Sequence, residues 1–417
     1  MLDIRFIREN PELVAEKSKQ KGYEVDIPHL LKLDGDRRNL LIQIEELRAK
    51  RNELAARLKA GQPSDKDILE GKAIKKKLSE LEKELDPVDL EFRMLLEAVP
   101  NVFPDDTPLG GEEASREEKK WGEAGDKGFE VKDHATWAEE KGLLDFERGA
   151  KVAGNKFYYT KGALVELELA LLQFGLGLAK KHGFTPMLVP HLVNTKILEG
   201  AGFSAKDTGG ERQIYKVEDE DLNLIATAEI PLTGYHADEV LDDLPKLYAG
   251  FSPSYRMEAG SYGRYTKGLY RVHQFDKLEL YVFCGGDLAE SEKWHQKMVA
   301  MEEEMCQSLK LPYRIVRIAA GDLGAPAYKK FDIEYWSPFD KTYRELMSCS
   351  NVTDYQARRL NIRSKSGNST EYAHTLNGTL AAMSRLLIAI IENCQNADGS
   401  VNIPEVLQPY MHSQKTF

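Results

Sequence analysis

Two heptad-spaced runs of apolar residues within the first hundred positions constrain the fold of this chain most strongly. The first run has gaps of seven, four, three, seven and four residues and consists of Leu33, Leu40, Ile44, Leu47, Leu54 and Leu58. The second run steps by four and three throughout and consists of Ile74, Leu78, Leu81, Leu85, Val88, Phe92 and Leu95. Because residues three and four apart share one face of a helix, each run predicts a long helix with a single apolar stripe.

The segment Gly61-Gln62-Pro63-Ser64 lies between the two runs and reads as a helix stop followed by a capping residue. Two such helices can bury their stripes against each other, so the pattern predicts an antiparallel coiled-coil hairpin. The alternative is one limb of a helical bundle, but the rest of the chain offers no third long heptad run. Pro87 removes a backbone hydrogen bond inside the second helix and predicts a kink or a break there.

Charge is distributed unevenly along the 417 residues, whose net charge is −11. Residues 48–77 contain ten basic and four acidic side chains, a net charge of +6, which leaves −17 for the remainder. A basic segment on an acidic chain indicates local contact with a polyanion and repulsion elsewhere. The alternative is that these lysines and arginines form a solvated helix face.

The remaining sequence predicts an α+β domain on a mostly antiparallel sheet. After the N-terminal domain, residues 1–104, the polar composition of 105–130 predicts a linker, and 131–417 form the second domain. There, β-rich runs at 224–227, 278–283, 313–318 and 331–335 are interspersed with amphipathic helical segments at 164–182, 287–310 and 380–393. The absence of a regular βαβ alternation favours the α+β class.

Several classes of protein are excluded by composition and by missing motifs. No apolar run reaches the roughly 18 residues of a membrane span, and no secretory signal is visible at the N-terminus. The four cysteines are far apart in the sequence and form no CxxC pair: Cys284, Cys306, Cys349 and Cys394. This spacing argues against a zinc site and against a disulfide framework, and it predicts a reducing cytoplasm as the location. Since neither an activated nucleophile nor a GxxxxGK[ST] phosphate loop is present, we expect substrates that react with each other.

Arginine and carboxylate residues cluster in the second domain. Arg256 and Glu258, two apart on an expected strand, would point to the same side, followed by a glycine-punctuated loop with Arg264 and Lys267. Taken alone, this pair reads as a surface salt bridge. Together with the charged segments 271–279, 344–351 and 377–385, it predicts a site for a charged, planar substrate.

At these residues the chain resembles bacterial-type seryl-tRNA synthetases, which are class II aminoacyl-tRNA synthetases. The resemblance runs almost end to end and rests on TAEIPLT, YRMEAGSYGR, GLYRVHQFDKLEL, RELMSCSNVTDYQARR, HTLNGT and IPEVLQPY, in that order behind a basic helical hairpin. It implies an antiparallel-sheet catalytic domain, an ATP-dependent serine–tRNA ligase activity, Mg²⁺ and no zinc. It also implies a homodimer whose interface includes residues 164–190, and serine tRNA as acceptor, with selenocysteine tRNA as a further acceptor.

The resemblance assigns roles to individual residues. Arg256 and Arg385 are implied as catalytic, and ATP binding involves Arg256, Glu258, Arg271, Phe275, Glu345, Ser348 and Arg385. The implied metal ligands are Glu345 and Ser348, although Ser348 and Cys349 could also be a buried turn. Serine binding is assigned to Thr227, Glu229, Arg256, Glu279, Asn377 and Thr379. The implied tRNA contacts are Arg48, Lys50, Arg51, Arg57, Lys59, Lys72, Lys75, Lys76 and Lys77.

Three positions depart from the usual family pattern: Met257, Tyr265 and Met347. None removes a catalytic group, but Tyr265 stands in a loop that meets the tRNA acceptor end in the family, so tRNA preference or rate could differ. His273 is expected to be structural. Two other functions remain open at this point: a synthetase-like paralogue that activates serine for another acceptor, and a non-catalytic coiled-coil RNA-binding scaffold. The basic arm argues against the first, and the intact arginine and carboxylate set argues against the second.

Overall fold

The computed structural model describes residues 1–59, 64–203, 213–259 and 268–417. Gly61, Gln62 and Pro63 of the predicted turn, and Arg264, Tyr265 and Lys267 of the predicted loop, lie outside these ranges. The chain divides into two compact units, Met1–Val102 and Phe103–Phe417.

The first unit is helical and contains the predicted hairpin. Its helices are α1 (Ile4–Glu9), α2 (Pro11–Gln20), α3 (Ile27–Lys59) and α4 (Asp65–Ala98). At about 1.5 Å per residue, the 33 residues of α3 extend about 50 Å. The N-cap of α4 is Ser64, whose side chain accepts a hydrogen bond from the backbone of Asp67, as its capping role predicted.

Both apolar stripes are buried between α3 and α4, which confirms the heptad assignment. Midway along the hairpin the fully buried members are Ile44, Leu54, Ile74, Leu78 and Leu81, with Leu40, Leu47, Leu58 and Leu85 packed against them. Nearer the other end, the stripe residues Leu33 and Phe92 join a cluster with α1 and α2.

Helix α4 continues without a break through Pro87, so a break at this residue is not observed. The residues that follow Pro87 are held by contacts to α3: Arg37 Nε donates to Asp89 Oδ1 at 2.5 Å, and the Arg37 guanidinium lies 5.1 Å from the ring centre of Phe92. Tertiary contacts of this kind offset the loss of one backbone hydrogen bond.

In the part of the second unit that the structure describes, the largest sheet has eight strands. The strands of this unit are β1 (Arg116–Trp121), β2 (Leu144–Asp145), β3 (Tyr159–Thr160), β4 (Thr185–Leu188), β5 (Leu192–Val193), β6 (Asn223–Leu224), β7 (Val240–Leu241), β8 (Lys246–Tyr255), β9 (Gln274–Cys284), β10 (Tyr313–Arg317), β11 (Lys329–Ser337), β12 (Thr342–Thr353), β13 (Arg363–Ser366), β14 (Ser369–Tyr372) and β15 (His374–Ala382). The order in the large sheet is β1-β10-β11-β12-β15-β9-β8-β4, and every neighbouring pair is antiparallel except the parallel pair of β4 and β8. The predicted fold class is confirmed.

The helices of this unit pack on both faces of the sheet. They are α5 (His134–Glu140), α6 (Phe146–Ala153), α7 (Ala163–Lys181), α8 (Thr195–Gly200), α9 (Glu229–Gly234), α10 (Leu288–Ser308), α11 (Tyr355–Arg359) and α12 (Met383–Asn393). Alternate residues of β9, such as Leu278 and Leu280, join the main core with α7, α10 and α12. The intervening residues Lys277 and Glu279 therefore project to the opposite face.

Three local predictions are corrected by the structure. The predicted linker 105–130 includes β1, an edge strand paired with β10; its exposed, charged sequence hides the usual strand pattern and suits an unprotected edge. Residues 380–382 belong to β15, and helix α12 begins only at Met383. Within 224–227, only Leu224 is in a strand, and Thr227 comes just before α9.

Candidate active site

A cavity of about 240 Å³ opens on the sheet face opposite the core formed with α7, α10 and α12. All seven residues predicted to bind ATP line it, and so does Thr379 of the predicted serine-binding set. They come from β9, β12, β15, the start of α12 and the segments beside β8 and β9. Residues separated by up to 129 positions in the sequence, from Arg256 to Arg385, are thus brought to one place.

His273, just before β9, holds the backbone of Arg256 in place. Arg256 N donates to His273 O at 3.0 Å, and His273 Nδ1 donates to Arg256 O at 2.8 Å. The guanidinium donates to the backbone oxygen of Ala226 at 3.2 Å and lies 5.1 Å from the ring centre of Phe275. Burial lowers the pKa of Arg256, and the charge of Arg385 lowers it further.

The geometry expected for Glu258 from the sequence was wrong, because β8 ends at Tyr255 and neither Arg256 nor Glu258 lies on a strand. Glu258 instead adopts a left-handed backbone conformation with φ of 48°. Its carboxylate accepts a hydrogen bond from Arg271 at 3.2 Å. The two predicted residues nevertheless line the same cavity.

Glu345 and Arg385 form an ion pair on the cavity wall, with Arg385 Nη1 2.9 Å from Glu345 Oε1. Burial pushes the pKa of Glu345 upward, but the charges of Arg385 and Lys330 outweigh it and lower this pKa to about 2. Burial likewise lowers the pKa of Arg385, but the charge of Glu345 outweighs it and the pKa rises. Arg385 also lies 4.9 Å from the ring centre of Tyr270, another residue of the wall.

Glu345 and Ser348 reach the same cavity because β12 contains an irregularity. Residues three apart on a regular strand point to opposite faces. The register with β11 shifts between the pairs Ile333–Met347 and Glu334–Glu345, which leaves Leu346 as an extra residue. A second shift on β15, between Thr379 and Ala381, likewise lets Thr379 and Ala382 both line the cavity.

Four predicted serine-binding residues form a group that does not line this cavity: Thr227, Glu229 and Glu279 are buried, and Asn377 is half-buried. Glu229 Oε1 accepts hydrogen bonds from Asn377 at 3.0 Å and from Gln356 at 2.7 Å. Burial and the nearby charge of Glu279 raise the pKa of Glu229 to about 7. The serine-binding roles stay predictions.

Two lysines of the cavity wall were not predicted from the sequence. Lys277 Nζ lies 2.6 Å from Glu279 Oε2, and Lys330 Nζ lies 3.2 Å from Asp332 Oδ1. Burial lowers the pKa of Lys330, but the charges of Asp332 and Glu345 outweigh it and raise this pKa. In both pairs a lysine and a carboxylate stand two apart on a strand, so the alternation first applied to Arg256 and Glu258 could have found them.

The side chains of Glu345 and Ser348 offer two hard oxygen donors. Within the described ranges, no group of three or more His, Cys, Asp or Glu residues could hold a metal ion. Two protein oxygens fit Mg²⁺, which commonly binds through one or two carboxylates and completes its shell with substrate phosphates and water. The residues present therefore suit a magnesium ion that arrives with a nucleotide.

All nine predicted tRNA contacts are exposed on the hairpin. Four of them make surface ion pairs: Arg48 with Glu45 and Glu82, Arg57 with Glu70, and Lys76 and Lys77 with Glu80. For the other five, no ion pair is found with any described residue: Lys50, Arg51, Lys59, Lys72 and Lys75.

Comparison with known proteins decides the family. Residues 1–103 match the model of the seryl-tRNA synthetase N-terminal domain, and residues 215–394 match the tRNA synthetase class II core domain (G, H, P, S and T). The serine–tRNA ligase of Dictyoglomus turgidum is 46% identical over 420 residues, which cover 99% of this chain and 98% of that protein. The chain belongs to the seryl-tRNA synthetase family.

Seryl-tRNA synthetases of three further organisms show the same likeness. The serine–tRNA ligase of Methanocella arvoryzae is 43% identical over 425 residues, or 99% of each chain. The seryl-tRNA synthetase of Pyrococcus horikoshii, crystallised with ATP, superposes with a TM-score of 0.90 at 41% identity and covers 100% of this chain and 99% of that one. The cytoplasmic enzyme of Naegleria fowleri, crystallised with AMP, gives 0.87 at 31% identity, covering 100% and 98%. The resemblance inferred from the motifs is confirmed.

None of the helices in the described residues combines the length and the apolar character that a membrane span requires.

Proposed function

We propose that this chain, a serine–tRNA ligase, forms seryl-adenylate from ATP and L-serine in the cavity beside β9, β12 and β15. One observation carries this proposal: the cavity gathers three arginines and two lysines against two carboxylates. Such a surplus of cations suits a triphosphate. The alternative functions, a paralogue with another acceptor and a scaffold without catalysis, are not favoured.

In the first step, a carboxylate oxygen of serine attacks the α-phosphorus of ATP, and the bond from this phosphorus to the bridging oxygen of the β-phosphate breaks. Arg256 contacts the serine carboxylate and the α-phosphate, since a guanidinium presents several N–H donors in one plane. Arg385 and Arg271 contact the phosphates of the leaving pyrophosphate. These fixed positive charges stabilise the charge that develops during transfer.

The adenine base is held by the aromatic and charged side chains of the same wall. Phe275 stacks on one face, and the guanidinium of Arg385 contacts the other through a cation–π interaction. Glu258 accepts a hydrogen bond from the exocyclic amino group. The hydrogen bond that Arg271 donates to this carboxylate, at 3.2 Å, orients it in the cavity wall.

Serine binds beside the group of Thr227, Glu229, Glu279 and Asn377, with Thr379 at the cavity edge. Glu279 with Thr227 holds the ammonium group, and Glu279 with Asn377 and Thr379 surrounds the hydroxyl. A pocket that hydrogen-bonds a hydroxyl rejects an analogue without one by roughly 10⁴ to 10⁵. Alanine is excluded in this way.

Glu345 and Ser348 hold the Mg²⁺ that accompanies ATP. When bound, this ion supplies positive charge that screens the phosphate oxygens during transfer. The ion pair to Arg385 and the charge of Lys330 keep Glu345 ionised, because its pKa lies near 2.

In the second step, a ribose hydroxyl of the 3′-terminal adenosine of serine tRNA attacks the carbonyl carbon of the adenylate, and AMP leaves. The hairpin of α3 and α4 contacts the tRNA through its exposed basic side chains. Because the rest of the chain is acidic, these residues supply the attraction for the polyanion.

The proposal includes a homodimer and a cytoplasmic location. Exposed apolar side chains on α7, β4 and β5 suit a subunit interface: Val165, Leu169, Leu188 and Leu192. All four cysteines are free, which suits a reducing compartment.

Serine-dependent ATP–pyrophosphate exchange, followed by charging of serine tRNA with the same preparation, tests the function. We expect both activities. Exchange without charging would indicate the paralogue, and the lack of both would indicate the scaffold.

A further inference from the structure

Lys330 lies on β11, on the face of the sheet that carries the cavity. Its side chain is 22% exposed, against 7% for Lys277, the other cavity lysine. Its neighbour Asp332, two residues along the same strand, is 8% exposed. Asp332 Oδ1 lies 3.2 Å from the ammonium nitrogen of Lys330. An ammonium group has three N–H donors, so this contact leaves donors for a ligand in the cavity.

We propose that Lys330 binds the β- and γ-phosphates of ATP and the pyrophosphate that leaves, and that Asp332 positions its ammonium group. This inference rests on the proposed function of the cavity.

The position of β11 in the sheet favours phosphate over serine as the group that Lys330 contacts. The predicted serine-binding residues lie on β9, on β15 and at α9, and β12 separates these strands from β11. Glu345 and Ser348, the proposed magnesium ligands, lie on β12, and Asp332 is paired with Ser348 across the two strands. Lys330 therefore lies at the metal end of the cavity, where Mg²⁺ would bring the phosphates of its nucleotide.

The charges of the cavity wall point the same way. Arg271 and Arg385 are each paired with a carboxylate of the wall itself, Glu258 and Glu345. Lys330 is paired with Asp332, which does not line the cavity. Its positive charge is thus balanced by a carboxylate that is not part of the wall, and a phosphate can approach without displacing this carboxylate.

Calorimetric titration of pyrophosphate into the full-length protein, with and without Mg²⁺, tests the inference directly. We expect Lys330→Met to weaken pyrophosphate binding by about tenfold to a hundredfold, as the loss of a charged hydrogen-bond donor predicts. In the exchange assay, the KM for ATP should rise by a similar factor while the KM for serine stays unchanged.

Lys329→Met is the matched control. Lys329 stands on the same strand, one position earlier, and pairs with Glu292 at 2.5 Å outside the cavity wall. We expect it to bind pyrophosphate as the wild type does.

The double variant Lys330→Met with Asp332→Asn separates phosphate binding from the cost of an unpaired carboxylate. If Lys330 binds phosphate, the double variant stays as weak as the single one. Recovery of binding in the double variant would overturn the inference, because Lys330 would then act only by neutralising Asp332. Unchanged binding by Lys330→Met would also overturn it, whereas normal exchange by the wild type would leave the proposed function intact.

Discussion

Arg256 and Arg385 show how single residues prepare this cavity for an anion. Burial lowers the pKa of Arg256, and the like charge of Arg385 lowers it further. Hydrogen bonds fix the backbone of Arg256, and Glu345 holds the side chain of Arg385. A phosphate placed near both arginines would reduce the repulsion between them. Both positive charges are thus already in position before the substrate binds.

Arg256→Ala and Arg385→Ala should each slow serine-dependent ATP–pyrophosphate exchange by about 10² or more, because each removes charge stabilisation from the transition state. Arg358→Ala is the matched control, since Arg358 pairs with Asp354 at 2.7 Å and does not line the cavity. Near-normal exchange in either cavity variant would mean that the arginine is structural.

Glu302 of α10 is a buried carboxyl group beneath the sheet. It has no exposed surface, and neither of its oxygens has a hydrogen-bond partner among the described residues. One of the oxygens would lie 2.9 Å from a Cβ atom added to Gly378, so the carboxyl packs directly against β15. Burial raises its pKa well above the ordinary value, and the charges of Glu279 and Asp332 add to the shift.

Glu302→Gln should stabilise the protein, and the gain should grow with pH. The folded state keeps the carboxyl protonated whereas the unfolded chain releases its proton above a pKa of about 4.3, so the wild type loses stability as pH rises from there towards the raised folded pKa. Urea unfolding at pH 5 and pH 8 measures the difference. We expect a gain of about 1 to 3 kcal/mol at pH 8 and a smaller one at pH 5.

Glu304→Gln on the same helix provides the opposite sign. Burial favours the neutral form of Glu304, but hydrogen bonds from Lys181 and His182 outweigh it and lower its pKa. The wild-type contribution of Glu304 is therefore lost as pH falls, and its replacement should cost more at pH 8 than at low pH. Equal effects of the Glu302 variant at both pH values would contradict the assignment of a buried, protonated carboxyl.

At the scale of elements, the hairpin could be predicted in detail because its buried apolar residues recur at regular intervals. The repeat is visible in the sequence alone and predicts which residues from Leu33 to Leu95 lie on the buried face. Strand β1 could not be predicted, since an exposed edge strand of charged residues has no apolar alternation. The irregularities at Leu346 and Leu380 were equally hidden, because register is set by neighbouring strands that are distant in sequence.

The same limit applied to the candidate site. Recognisable motifs supplied the residues that line the cavity, but not their geometry. The position of Glu258 in the cavity depends on a left-handed backbone conformation. The position of Lys330 depends on the pairing of β11 with β12, which none of the motifs contains.

On the hairpin, the double variant Lys72→Glu with Lys75→Glu should weaken tRNA binding and its dependence on salt. These two lysines make no ion pair with described residues, whereas Lys76 and Lys77 share Glu80. For each lysine that no longer neutralises a phosphate, the plot of log affinity against log salt should flatten by somewhat under about one unit. Exchange activity should not change.

Lys83→Glu is the control for this experiment, because Lys83 is an exposed lysine of the same helix outside the basic segment. We expect a smaller change in the salt slope. If the double variant kept both its affinity and its slope, Lys72 and Lys75 would belong to a solvated face.

At the scale of the whole molecule, exposed apolar side chains on β4 and α7 bear on the association of subunits. Leu188 is 83% exposed on β4, the last strand of the sheet, which pairs only with β8 among the described strands. Leu169 on α7 is 52% exposed. Apolar groups at a sheet edge favour pairing with another chain.

Leu169→Asp with Leu188→Asp should therefore shift the proposed dimer to a monomer, which light scattering measures as a halved mass at equal concentration. The control is Leu109→Asp, whose side chain is 59% exposed elsewhere in the same unit. It should keep the mass of the wild type. A dimer that survived the double substitution would place the interface on another surface.

The irregularity in β12 also sets how far apart the two oxygen donors stand along the strand. Leu346 is the extra residue between them, so deleting it would leave Glu345 and Ser348 two apart on a regular strand and still on one face. A change that moved the extra residue to another place in β12 would instead leave them three apart without an irregularity and turn one of them away from the cavity. Whether both donors face the ligand is therefore decided by where the strand is irregular, a property that belongs to its pairing with β11 rather than to either side chain.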